Sequence, residues 1–139
     1  MTPNQIELVQ SSFAKVVPIS EQAAALFYGR LFELAPEVRA LFKGDMVEQG
    51  RKLMTMLGSV TRGLGNLDTL VPVAQRLAER HVGYGAQPAH YAVVGAALID
   101  TLDKGLGEEF TPEVRNAWET AYGTLSGVMI AAAQKTATA

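Results

Sequence analysis

Two Thr-Pro pairs, Thr2-Pro3 and Thr111-Pro112, narrow most what this chain can fold into. A threonine hydroxyl that can accept from backbone N–H groups, followed by proline at the first helical position, is a helix start. Gln5 stands three residues after Thr2 and completes a capping box there. Between and behind the two starts, apolar residues recur every three or four positions, and the stops are glycines or prolines. No segment alternates apolar and polar residues as a half-buried strand must. The expectation is an all-α chain of about seven helices in one domain over residues 1–139, with no repeat and no linker.

The first helix carries Ile6, Val9, Phe13 and Val16 or Val17 on one stripe. Pro18 stops it and Ser20 is expected to cap the next. The second covers about 20–35, with Ala24, Phe27, Tyr28, Leu31 and Phe32 inward. Pro36 starts a short helix ending near Phe42, and Lys43-Gly44-Asp45 reads as a turn. A long helix over about 46–64 turns Gln49, Leu53, Met56, Leu57 and Val60 to one side, and Gly63 and Gly65 end it. Three more follow, over about 67–83, 87–105 and 111–134. Gly105 and Gly107 close the second of these. The tail Thr136-Ala137-Thr138-Ala139 is expected to fray.

Composition removes whole classes of function. At 139 residues and 48% hydrophobic, the chain can bury a sizeable core and is not disordered. Its net charge is −2 with Lys and Arg scattered, so no nucleic-acid footprint is expected. There is no cysteine, hence no disulfide framework, thiolate metal site, thiol nucleophile or covalent haem attachment of the c type. The start, Met1-Thr2-Pro3-Asn4-Gln5, lacks the basic flank and apolar core of a signal peptide, and no apolar run reaches membrane-spanning length. A cytoplasmic protein without a membrane span is the expectation.

His81 is the residue with most chemical content. Leu70, Val73, Ala74, Leu77 and His81 share one helical face. An imidazole there can be a core or rim histidine bonded to a carbonyl. It can also ligate a metal held mainly by another group, as haem iron is. Tyr28 and Gln49 also point inward from two other helices, and a core built for stability alone avoids such polar tips unless they are satisfied. One explanation is that all three face a ligand.

Several segments, in order and at matching spacing, carry a resemblance. They are Leu26-Phe27-Tyr28 with Leu31-Phe32; Pro36-Glu37-Val38-Arg39-Ala40-Leu41-Phe42; and Glu48-Gln49 before Lys52-Leu53. Then come Arg80-His81; Ala89-His90-Tyr91 with Val94-Gly95; and Ala117-Trp118 with Ala121-Tyr122-Gly123. From about residue 4 to about 132 the chain resembles the bacterial single-domain haemoglobins, which are similar to the globin module of flavohaemoglobins. The resemblance implies a globin fold, a three-over-three helical sandwich around a non-covalent haem b. It implies His81 as the proximal iron ligand, Phe42 as the aromatic wedged against the porphyrin, and Tyr28 and Gln49 as the distal polar pair. Leu53 becomes the apolar residue above the iron and Tyr91 the tyrosine near the proximal imidazole. His90, one step round from Tyr91, is expected at the surface or rim. Arg80 and Lys52 are candidates for the haem propionates, although charged residues near a cleft are usually just solvated.

The implied pocket binds dioxygen and other diatomic ligands. A neutral tyrosine and a glutamine can each donate a hydrogen bond to a ligand carrying partial negative charge. One bond to such a group, about 1.5–3 kcal/mol, slows escape by roughly 10- to 150-fold. One departure stands out. Relatives commonly place a carboxylate of the last helix beside the histidine and tyrosine, but here the last acidic residue is Glu119, and Ala132 and Ala133 occupy the matching positions. A histidine without that partner is less electron-rich, which weakens peroxidase-like chemistry. The implied function is an oxygen carrier or store. The alternative is an enzyme, a nitric oxide dioxygenase working with a separate reductase. A gas sensor would need an output partner.

Overall fold

In a computed structural model of the chain, the described backbone comprises residues 2–42, 45–83 and 88–138. Side chains at positions 41, 67, 82–83, 88–89 and 133–138 lie outside the description, as do residues 43–44 and 84–87. Six α-helices make up the described fold: α1 Pro3–Val16, α2 Ser20–Leu34, α3 Met46–Gly63, α4 Leu67–Gly83, α5 Pro88–Leu106 and α6 Pro112–Thr138. Short 3-10 turns occupy Val17–Ile19, Pro36–Leu41 and Gly107–Glu109. No strand occurs among the described residues.

The start and stop signals act as their chemistry requires. Gln5 N donates to Thr2 Oγ1 at 3.1 Å and Thr2 N to Gln5 Oε1 at 2.9 Å, a closed capping box. Val114 N donates to Thr111 Oγ1 at the head of α6. Gly107 follows the end of α5 with φ of 58°, the left-handed conformation a side chain would resist. Ser20 is not a cap. The turn after Pro18 runs straight into α2, so Ser20 is its first helical residue and Ile19 precedes it without a side-chain bond. Asp45 does what its turn position conceals: its carboxylate accepts from Val47 N at 2.9 Å and caps α3. The segment after Pro36 is 3-10 rather than α. α6 runs on to Thr138, beyond the expected end, through the strong helix formers Ala131-Ala132-Ala133.

Two layers of pairings set the architecture. α4 lies along α6, α2 lies along α5, and α1 joins the set by packing on α6. α2 also crosses α3, where a Cβ built on Gly50 would stand 2.9 Å from Ala24 Cβ. α5 meets α6 at Gly95, where a Cβ would stand 2.7 Å from Tyr122 Cε2. Small residues at both crossings let backbones approach closely. Trp118 ties α6 to α1, its indole N–H donating to Ser12 Oγ at 2.8 Å inside the core. α3 and α4 touch each other only slightly. That gap makes room for a cavity.

Candidate functional site

Inside the bundle lies a cavity of about 110 Å³, with walls from all six helices. Leu53, Leu57 and Val60 face it from α3, Leu77 and His81 from α4, and Tyr91 and Val94 from α5. Trp118, Leu125 and Met129 close it from α6. Among the described residues, the lining holds no aspartate or glutamate.

His81 stands in the last turn of α4, one helical turn beyond Leu77. Its Nδ1 lies 2.6 Å from Leu77 O. A carbonyl only accepts, so in the neutral ring Nδ1 carries the proton and Nε2 carries the lone pair. The backbone thus selects the tautomer suited to metal ligation through Nε2. Among the described residues, no group of three or more histidines and carboxylates is placed to hold a bare ion. A metal against His81 therefore needs most of its donors from another molecule. A flat, apolar macrocycle carrying its own four nitrogens fits these residues: an apolar chamber with one oriented imidazole on its wall.

Tyr91 is buried against Ala74, Ala78 and Met129, and Ala132 packs on the same cluster. Burial raises the Tyr91 phenol above the usual tyrosine value. Its backbone carbonyl accepts from Tyr122 Oη at 2.6 Å. The Tyr122 phenol is pushed far up, chiefly by burial and then by Tyr91. Of the two alanines at the positions of the family carboxylate, Ala132 packs on the cluster that holds Tyr91. The Ala133 side chain lies outside the described residues. His90, expected at the surface or rim, stands at the end of α5 that borders the chamber. It is half-buried and lines the cavity with Tyr91. In the first turn of α5, neighbours about 100° apart can both border a chamber at the helix end.

Tyr28, Gln49 and Phe42 assemble beside the cavity rather than on its wall. Phe27, the neighbour of Tyr28, borders the chamber, with the two rings edge to face at 5.1 Å. Tyr28 meets Phe42 edge to face at 5.3 Å and stacks on Phe32 at 6.0 Å. Arg39 lies over the Phe32 ring at 5.0 Å. Burial raises the Tyr28 phenol, and a hydrogen bond with the Gln49 side chain offsets part of that rise. The phenol is therefore protonated at neutral pH and can donate. The structure thus brings Leu53, His81 and Tyr91 around one chamber, and Tyr28, Gln49 and Phe42 into one cluster at the α2–α3 corner. It also answers the argument from inward polar tips. Gln49 lies against the Tyr28 phenol, His81 is bonded to Leu77, and no buried side-chain nitrogen or oxygen among the described residues lacks a partner. Their inward placement alone does not demand a ligand. Lys52 and Arg80 are both exposed.

Comparison with known proteins agrees along the chain. The Globin family model matches residues 25–129. The flavohemoprotein of Bordetella parapertussis is 31% identical over 133 residues, covering 94% of this chain and 33% of its own length. That of Bacillus subtilis is 28% identical over 128 residues, covering 90% and 32%. The chain thus spans about a third of the length of these curated relatives. A bacterial globin from Campylobacter jejuni superposes with a TM-score of 0.86 at 25% identity, over 99% of this chain and 100% of its own. A second solved structure is an engineered carbene transferase from Rhodothermus marinus, provisionally described as a nitric oxide dioxygenase. It gives a TM-score of 0.88 at 27% identity over 99% and 96%.

Proposed function

Because this chain belongs to the globin family, we propose that it is an oxygen-binding haem protein, with His81 as the sole protein ligand of a non-covalent haem b. The observation that carries the reading is the 2.6 Å contact between His81 Nδ1 and Leu77 O on the wall of the apolar chamber. A bound haem supplies an iron that takes up dioxygen and other diatomic ligands. The residues around it have separable tasks. Leu77 O holds the imidazole ring in one tautomer and orientation. Leu53 and Leu57 keep water from the α3 side of the chamber. Tyr28 supplies a protonated phenol, and Gln49 an amide, toward the polar end of a small ligand. Phe42 holds the Tyr28 ring in place and would help to hold the macrocycle. Tyr91 borders the imidazole side as a neutral group.

Titration of the purified protein with hemin tests the reading. A sharp Soret band at one equivalent is expected. His81→Gly should lose haem or need added imidazole to keep it. An unchanged spectrum and unchanged haem retention in that variant would remove His81 as the ligand.

A second reading, nitric oxide dioxygenase, is favoured by the identity to flavohemoproteins and by the Rhodothermus marinus match. In that reaction nitric oxide and dioxygen combine with one electron to give nitrate, so a separate reductase must supply the electron. Stopped-flow mixing of the oxygenated protein with nitric oxide, followed by re-reduction in cell extract, separates the two. Rapid turnover supports the enzyme. A stable oxygenated form with slow re-reduction supports the carrier.

A further inference from the structure

Charge is distributed unevenly over this chain. Residues 46–83, which comprise α3 and α4, hold five Lys/Arg against three Asp/Glu, a net of +2. The remaining residues hold seven against eleven, a net of −4. The four ion pairs among the described residues are Lys15–Glu109, Arg30–Glu33, Arg30–Asp100 and Arg115–Glu119. None involves α3 or α4. Arg51, Lys52, Arg62, Arg76 and Arg80 are all exposed, and none is ion-paired among the described residues.

Two of these cations, Arg51 and Lys52, line a groove. An open depression of about 520 Å³ runs between α3 and α4, with Arg51, Lys52, Thr55 and Ser59 on its α3 lip and Val73 and Leu77 on its α4 wall. At about 100° per residue, Arg80 falls about 20° from Val73 around α4 and Arg76 about 60°, while Glu79 falls about 120° away. Arg76 and Arg80 therefore flank the α4 wall, and Glu48 is the single carboxylate among the described groove residues. The floor consists of Met56, Val60 and Leu77, which also line the chamber that holds His81. One layer of side chains separates the groove from the cofactor space.

We infer that the α3–α4 groove is the docking surface for an acidic electron-donor protein, with Arg51, Lys52, Arg76 and Arg80 as its electrostatic contacts. The inference rests on the haem-globin reading. Cations left without internal partners keep their field for an approaching molecule, and on an otherwise acidic protein they orient an acidic partner toward this face. The shared floor places that partner beside the cofactor, where an electron has the shortest path. The exchange is one electron with no atom transferred: a reduced flavin of the donor is oxidised by one electron and ferric haem is reduced to ferrous. A bare anionic membrane would meet the same cations but has no electron to give.

The test uses the haem-loaded protein with flavodoxin, an acidic one-electron flavoprotein, as the probe. Oxidised flavodoxin should shift backbone amide resonances on α3 and α4 selectively, and the shifts should shrink between about 0.02 and 0.2 M salt, as screening shortens the field. Arg51→Glu with Arg76→Glu should slow haem reduction by reduced flavodoxin at least tenfold at the lower salt. Reduction by photoreduced riboflavin, too small to need a docking surface, should be unchanged. Lys15→Glu with Arg115→Glu, away from the groove, should leave both rates alone. The proposal is overturned if the groove variant matches the parent. It is overturned equally if the groove variant slows riboflavin too or loses haem, because the arginines then serve the cofactor rather than a partner. Binding to phosphatidylserine vesicles with no response to flavodoxin overturns it in favour of a membrane-facing surface. A parent protein that takes up no hemin at all fails earlier and differently, since that removes the globin reading itself.

Discussion

Gly95→Ala is the substitution whose sign the packing decides. Alanine in a helix interior is favoured over glycine by about 1 kcal/mol. On that ground alone the variant should be more stable. Gly95, however, is where α5 meets α6, and the added methyl would stand 2.7 Å from Tyr122 Cε2 and 3.0 Å from Cδ2. The ring cannot simply swing away, because its hydroxyl is anchored to Tyr91 O at 2.6 Å. Overpacking of this kind costs about 1–3 kcal/mol. The net effect runs from about neutral to about 2 kcal/mol destabilising. Gly123 supplies the control, since a Cβ there meets nothing within 4 Å. Gly123→Ala should stabilise by up to about 1 kcal/mol. Urea unfolding of both variants, with unchanged m-values, reads the difference. In a Tyr122→Leu background the Gly95→Ala penalty should largely vanish, leaving a coupling energy above about 1 kcal/mol. If Gly95→Ala stabilises as Gly123→Ala does, Tyr122 does not hold that crossing and the reasoning fails.

Three further outcomes are expected. Tyr28→Phe should raise the oxygen dissociation rate by at least about tenfold, the worth of about 1.4 kcal/mol; an unchanged rate in stopped-flow would show that the phenol does not reach the ligand. Burial holds the Tyr28, Tyr91 and Tyr122 phenols above their ordinary value near 10, so the folded state keeps these protons more tightly than the unfolded chain. That stability is fully present below about pH 10 and is lost as pH climbs through the raised values, by up to about 1.4 kcal/mol per pH unit for each phenol, and urea titrations between pH 8 and 11 should show Tyr122→Phe with the shallower decline. Ala132→Glu should place a carboxylate beside Tyr91, raise the iron–histidine stretch of the ferrous protein and increase turnover with hydrogen peroxide; a high stretch already present in the natural protein would mean that another group polarises His81.

Helix order and most helix boundaries were legible because they depend on local chemistry. A threonine-proline start, a glycine stop and an apolar repeat act within a few residues of themselves. The errors fall where a neighbouring element changes the outcome. Ser20 looks like a cap until the turn after Pro18 runs directly into α2. Asp45 looks like plain turn until Val47 N is seen to need an acceptor. The bond from Trp118 to Ser12 joins residues far apart in the chain, and nothing near either one announces it. His90 shows the limit of a helical wheel, which sorts residues by angle but not by distance from a helix end. That distance is what puts His90 on the same chamber as Tyr91.

The candidate site divides along the same line. Residue types and spacing marked His81, but the Leu77 carbonyl that selects its tautomer is a backbone atom and carries no sequence signal. Tyr28 and Gln49 were marked as inward polar tips. Yet Tyr28 is buried among aromatic rings and Gln49 is only half-buried beside it, so their placement is compatible with a structural role and with ligand binding alike. The Gln49 contact lowers the phenol's pKa, so the amide donates toward the phenol oxygen and leaves the Tyr28 proton for a ligand. Gln49→Leu would remove the second donor. If the phenol is the main anchor, that variant should leave dissociation nearly unchanged. If the amide is the anchor, dissociation should accelerate, and whether the rate moves at all assigns the pair.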